Sequence, residues 1–156
     1  MHLVRQHGKS WFVREFDLMR RAVFRPEGSA FGNTQTEPFQ IVTVGVNGDF
    51  STFSPEFLGV SHPRIGGGGI GNLAEGPIER AETNAKFLAL KSEIDSGVVK
   101  CKESCEYFSV CGGGAPANKL GELGTMDASV TRFCECTVMG TADLVLSLVD
   151  EQVLSG

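Results

Sequence analysis

The side chains in this sequence with the most chemistry in them are its cysteines. There are five, Cys101, Cys105, Cys111, Cys134 and Cys136, all near the C-terminal end of a 156-residue chain. Thiolates are soft ligands suited to zinc and to iron–sulfur clusters. An odd number crowded into one stretch fits ligation in a reducing compartment better than it fits a disulfide framework. Cys101-Lys-Glu-Ser-Cys105-Glu-Tyr-Phe-Ser-Val-Cys111 separates its thiols by three and five residues, and Thr131-Arg-Phe-Cys134 follows later. Three close thiolates and one distant one fill a four-site shell. That shell serves either a cubane cluster, which needs sulfur arriving from several directions, or a tetrahedral zinc ion. The irregular gaps, without paired C-x2-C knuckles, point to the cluster, and zinc stays open. In an extended segment Cys136 points opposite to Cys134, so Cys134 is the expected fourth ligand and Cys136 a spare or substituting thiol. Burial as plain apolar thiols is the ordinary alternative.

Gly112, Gly113 and Gly114 stand directly after a candidate ligand, where glycine permits close backbone approach; an ordinary glycine turn has the same composition. Lys119 and Arg132 flank the cysteines and are able to hold a cluster's negative charge or a substrate carboxylate, although a solvated surface is the commoner place for both. Tyr107 and Phe108 read as packing residues rather than an electron path. Asp127 sits in a polar stretch, His2, His7 and His62 lie near the chain end or in a loop, none is given a catalytic role, and no triad is argued. Gly66, Gly68 and Gly71 match G-x-G-x-x-G, but Ser61-His62-Pro63-Arg64 precedes them where a strand is required, which argues against a nucleotide loop.

These residues need a scaffold. Phe12, Phe16, Met19 and Val23 share one face of a helix predicted from Trp11 to Phe24, ended by Pro26, Gly28, Gly32 and Asn33. Phe39 to Val46 and Asp49 to Phe53 form a predicted hairpin around Asn47-Gly48, a pair that accepts positive φ at both centres. Ser54 to Gly76 is expected to be an irregular surface connection. Pro77 opens a helix to Ser96 with Ile78, Ala81, Ala85 and Leu88 on one face and Gly97 as its left-handed cap. Val138, Ala142, Val145 and Val149 mark a final helix from Thr137 to Leu154. The expectation is an α+β chain: a small β-hairpin, flanking helices and cysteine-rich cluster-binding loops.

A formal charge of −5 with 14 Lys and Arg argues against nucleic acid and anionic membranes, which attract concentrated positive charge. The sequence has neither a spanning apolar run nor the apolar core of a signal peptide, so a cytoplasmic location is expected.

With these residues in view, the chain resembles the SPASM region at the C-terminus of radical SAM peptide maturases. The resemblance is carried by Cys101 to Cys111 with Tyr107-Phe108, by Cys111-Gly-Gly-Gly-Ala-Pro-Ala-Asn-Lys119, and by Thr131-Arg-Phe-Cys134. Upstream it takes in Gly48-Asp-Phe-Ser-Thr-Phe-Ser-Pro-Glu56 and Gly71-Asn72. Within the family it is closest to maturases that cross-link glycine-rich ribosomal peptides, including cyclophane formers. A full SPASM region holds two auxiliary clusters, but the positions for the inner one are Ala115 and Phe53 here, and no Cys precedes the hairpin. The resemblance therefore implies one [4Fe–4S] cluster, the outer one, on Cys101, Cys105, Cys111 and Cys134. The gap of three after Cys101 departs from the family's two.

The C-x3-C-x2-C motif for the catalytic cluster and S-adenosylmethionine is absent, so these residues alone are expected to be inactive. The resemblance implies a precursor peptide as substrate and a radical SAM barrel as partner, with S-adenosylmethionine and a second [4Fe–4S] cluster in that barrel. Residues 1–38 are then the end of the barrel, and 39–156 the auxiliary-cluster domain with its terminal helix. The cluster would accept an electron or brace the fold. A zinc-stabilised, non-catalytic interaction module is the alternative.

Overall fold

The computed structural model describes residues 12–25 and 32–154, apart from the side chains of 149–154. Trp11, Pro26, Gly28, His2, His7 and the Val149 side chain lie outside the described residues. The fold is α+β: the described residues form helices and a three-stranded antiparallel sheet. No helix among the described residues is long and apolar enough to cross a membrane. The chain divides into two compact units, Phe31–Thr131 and a second one that joins the N-terminal helix to the segment from Arg132 onward.

In the larger unit, β1 (Val42–Val44) pairs with β2 (Asp49–Thr52), with Val42 opposite Thr52 and Val44 opposite Phe50. Between them the Gly45 N–H donates to Asp49 O at 2.7 Å and the Gly48 N–H to Gly45 O at 3.0 Å. Gly48 has φ +88° and Asn47 does not enter the positive range. The connection is thus a longer turn closed by one left-handed glycine, not the two-residue turn with positive φ at both centres that the sequence suggested. β3 (Gly71–Asn72) adds to β2, with Asp49 opposite Asn72 and Phe50 opposite Gly71. The Asn72 Nδ2 amide ties this corner by donating to Asp49 Oδ1 at 2.8 Å and Asn47 O at 3.0 Å. β1 is an edge strand, with Val42 and Val44 exposed.

The expected surface connection after Ser54 is thus partly core. Ile65 and Ile70 are buried there, because sparse apolar residues in an irregular segment bury as well as periodic ones and leave no period to detect. Gly68, at φ +76°, lies so close to the chain that a Cβ would fall 1.4 Å from Phe57 O, a close approach that only glycine tolerates.

The predicted helix from Pro77 is two elements. A 3₁₀ turn spans Ile78–Thr83, and helix α2 (Ala85–Ser104) restarts at Asn84, whose side chain accepts the Lys86 N–H. The first helix, α1, is Arg14–Val23. The restart at Asn84 shifts the phase, so the buried face of α2 is Phe87, Leu90, Ile94, Gly97 and Cys101, while Ala85 and Leu88 are exposed. Gly97 sits inside the helix and caps nothing: a Cβ there would meet Met126 O at 2.1 Å.

The core gathers Phe50, Phe53, Phe57, Ile65, Ile70, Phe87, Leu90, Ile94, Leu120 and Met126. Phe87 stacks on Phe53 and Phe39, with ring centroids 6.0 and 5.4 Å apart. Both partners hold positive φ, +58° at Phe39 and +72° at Phe53, a conformation costly for bulky residues and held here by the stack and the surrounding core. Two short helices complete this unit, α3 (Phe108–Cys111) and α4 (Pro116–Leu123). The latter has proline in its first turn, the position where a missing N–H costs nothing.

In the other unit α1 packs with α5 (Gly140–Leu154), and a π-helical segment, Cys134–Met139, leads into α5. Ala142 and Val145 are buried and Val138 half-buried, on the expected face.

Gly97→Ala forces the Met126 backbone away from α2 and is expected to cost about 1–3 kcal/mol, as overpacking does. Gly121→Ala, in α4 with nothing within 4 Å of its Cβ, is expected to be neutral or to stabilise by up to about 1 kcal/mol. Urea unfolding followed by circular dichroism distinguishes them, and equal midpoints would contradict the packing described.

Candidate functional site

Helix α2 carries Cys101 on its buried face in the last full turn, and Cys105 caps its C-terminus, the Cys105 N–H donating to Cys101 O at 2.9 Å. Cys111 ends α3. The three nearest thiols thus sit on and between helices, not in the loops expected from the glycine content. No disulfide joins any of the five cysteines.

After Cys111 the chain turns through Gly112, Gly113 and Gly114 with φ of +64°, +108° and +72°. Three consecutive left-handed residues are open only to glycine at low cost, and the turn lets the backbone fold back on α2. A Cβ at Gly113 would already press Val98 Cγ2 at 3.0 Å. Asn33 fixes the turn from outside, its Nδ2 donating to Cys111 O at 3.1 Å and Gly114 O at 2.8 Å.

Cys101 Sγ lies in a cradle made by this turn, by α4 and by the 125–129 segment. It is 3.5 Å from Gly113 O, 3.3 Å from Ser129 O and 3.3 Å from Lys119 Nζ. Lys119 is 2% exposed and also donates to Gly97 O at 3.1 Å. The solvated surface expected for Lys119 is therefore not where it lies. Its place on α4, three residues into a helix that begins at Pro116, turns it inward. Arg132 is exposed and pairs with Glu135 at 3.1 Å.

The 125–129 segment is strapped to α2 by a row of polar contacts. Glu93 Oε1 accepts from Thr125 Oγ1 at 2.6 Å, the Met126 N–H at 3.0 Å and Arg64 at 2.9 Å. Asp127 accepts from Ser96 Oγ at 2.6 Å and pairs with Lys100 at 2.9 Å. The Ser96 hydroxyl, and after it Lys100, hold the Asp127 carboxyl below the usual carboxylate range. Sequence reasoning missed Asn33, Glu93 and this strap, since none of them belongs to a recognisable spacing.

Cys134, buried, and Cys136, exposed, lie in the π-helical segment of the other unit. The extended geometry used to oppose them does not hold there; in a helical segment two residues apart is still a wide angular separation. Tyr107 and Phe108 are half-buried. Gly66, Gly68 and Gly71 lead into strand β3, and no helix opens after them.

Around Cys101 the structure places a glycine turn that brings backbone close and the buried Lys119 side chain at the sulfur. The side chains as placed do not close on a single ion. Among the described residues, no group of three or more His, Cys, Asp or Glu is arranged to hold one.

No protein-family model matches the chain, and no solved structure matches it. An uncharacterized protein of Synechocystis sp., sll1766, is 31% identical over 141 residues, which is 90% of this chain and 35% of that protein. The chain thus spans about a third of the length of the curated relative it matches.

Because Asp127 is held ionised by its partners, its contribution to stability is present above the unfolded carboxylate value and is lost as pH falls through the lower folded value. Asp127→Asn is therefore expected to destabilise at neutral pH and to converge with the wild type in acid. Denaturation midpoints measured across the acid range check this; a constant difference at every pH would contradict it.

Proposed function

We propose that this chain is the auxiliary-cluster part of a radical SAM peptide maturase, with one [4Fe–4S] cluster held by Cys101, Cys105, Cys111 and Cys134. The observation that carries the reading is the cradle at Cys101: a buried thiol beside a buried ammonium, facing a turn of three left-handed glycines. A structural cysteine packed as a small hydrophobe has no use for a buried cation.

Two further features support it. The segments that carry the SPASM resemblance upstream of the cysteines meet in one sheet, Asp49 opposite Asn72 and Phe50 opposite Gly71. Phe53, at a position where a second cluster would find a ligand, is fully buried in the aromatic stack, and Ala115 serves as the N-cap of α4. An apolar core takes the place of an inner cluster, in keeping with one centre rather than two. About two thirds of the Synechocystis relative lies outside the match, which is room for a barrel binding S-adenosylmethionine and the catalytic cluster.

When bound, the auxiliary centre supplies an electron-accepting site or a brace. The chain's own part is to deliver thiolates, exclude water from Cys101 and offset negative charge with Lys119. The substrate in this reading is a ribosomally made precursor peptide that the whole enzyme cross-links.

Reconstitution without air is expected to give brown protein with about four irons and four sulfides per chain. Cys111→Ser should lose most of that iron and Cys136→Ser should keep it. Colourless protein that binds one zinc per chain, and unfolds when the zinc is chelated, would instead make this a zinc-stabilised interaction module.

A further inference from the structure

A hollow of about 200 Å³ opens in the larger unit between β3 and the 3₁₀ turn Ile78–Thr83. Phe50, Ile70 and Ala81, all buried, line it, so its inner side is apolar. Glu75 and Arg80 line it too and are exposed, which puts charge at the mouth. Two asparagine amides in the lining are already engaged. Asn72 Nδ2 donates to Asp49 and to Asn47 O, and its Oδ1 accepts the Ala74 N–H; Asn84 Nδ2 donates to Ile70 O, and its Oδ1 accepts the Lys86 N–H.

Arg80 is different. Its Nη1 donates to Glu75 O at 3.0 Å, and the side chain lies against Gly76, at φ +147°, where a Cβ would fall 2.9 Å from both Cδ and Nη1 of Arg80. A glycine thus leaves the room in which the guanidinium is seated. Among the described residues Arg80 enters no ion pair, although Glu75, Glu79 and Glu82 surround it in sequence. A guanidinium carries five N–H donors in a planar fork that matches a carboxylate. One held by a backbone carbonyl has already given up part of its rotamer freedom, so an anion that meets it loses less on binding.

Size narrows the ligand. An apolar cavity of about 150 Å³ takes benzene, whereas drug-sized ligands occupy about 300–1,000 Å³. This hollow therefore admits a body of about one amino-acid side chain and excludes a nucleotide. The carboxylate of Glu75 stands in water, where its repulsion of an anion is weak and screened.

We infer that this hollow binds a carboxylate carried on a small apolar body: Arg80 takes the carboxylate, and Phe50, Ile70 and Ala81 receive the apolar part. A free small carboxylic acid and the C-terminal residue of a peptide share that chemistry. No cysteine lines the hollow, so the inference stands apart from the cluster reading.

The test titrates the full chain with N-acetyl-leucine, with N-acetyl-leucinamide and with acetyl-glycyl-glycyl-leucine, following the backbone amide NMR signals of Gly71, Asn72 and Gly76. N-acetyl-leucine is expected to shift them with an affinity on the order of 1 mM, the scale for a ligand of a dozen heavy atoms. The amide, which lacks the charge, is expected to bind about fivefold or more weakly, the low end for a hydrogen bond to a charged group because the mouth is open to water. Arg80→Gln is expected to bring the acid down to the affinity of the amide. Glu75→Gln, which removes a like charge, is expected to tighten the acid about twofold, a gain that no unfolded variant shows. A peptide that binds more tightly than N-acetyl-leucine supports a chain end as the ligand, and one that binds equally or more weakly supports a free acid. An amide that binds as well as the acid, an Arg80→Gln protein that binds as the wild type does, a Glu75→Gln protein that binds more weakly, or the absence of any shift at these amides overturns the inference.

Discussion

One face of helix α2 ties the apolar core to the sulfur chemistry. Phe87, Leu90, Ile94, Gly97 and Cys101 follow one another at steps of three and four, the spacing that keeps side chains on a single stripe. At one end Phe87 stacks on Phe39 and Phe53; at the other Cys101 meets Lys119. Each large apolar side chain on that stripe gains about 1.5–3 kcal/mol from burial. Four turns of helix therefore anchor a thiol that would otherwise be set by loops. The position of Cys101 is as firm as the core itself, and the turn of glycines, the strap at 125–129 and α4 are arranged around that fixed point.

Cys101 Sγ and Lys119 Nζ meet out of water, 3.3 Å apart, in a part of the sequence that tolerates little change nearby. Gly97 admits no side chain against Met126 O, and Gly113 admits none against Val98. The carboxylates of Glu93 and Asp127 clamp the strap to α2. Acidic groups there fasten backbone without approaching the sulfur.

What was legible in the sequence follows what is periodic or chemically marked. The cysteines, the strands either side of Asn47-Gly48 and the face of α5 that carries Ala142 and Val145 could be read from type and spacing, and each of the two strands is found within its expected span; of the face expected on α1, Phe12 lies before the helix and is exposed, Phe16 is exposed too, and Met19 and Val23 are half-buried. The register of α2 could not, because Asn84 ends one helical turn and starts another: a side-chain cap resets the phase, and extrapolating from Ile78 selects Ala85 and Leu88, which are exposed. Gly97 looked like a terminator since a helix interior penalises glycine; its role is contact with a strand of backbone more than twenty residues later, which no local window contains. Ile65, Ile70 and β3 were hidden in glycine-rich chain for the same reason. Lys119 was misplaced because composition puts lysines in water, and only the fold shows that the residue three positions into α4 faces inward. The ligand set remains a reading of sequence and resemblance, with Cys101 the member whose surroundings speak to it.

The sheet carries a different kind of consequence. Strand β1 lies at an edge, its far rail of amide and carbonyl groups has no neighbouring strand in the sheet, and Val42 and Val44 stand exposed on it. Neither a charge nor a proline falls within Val42–Val44, the devices by which proteins usually discourage uninvited strand pairing. The edge has room for one short added strand, and its length of three residues is itself what limits such pairing.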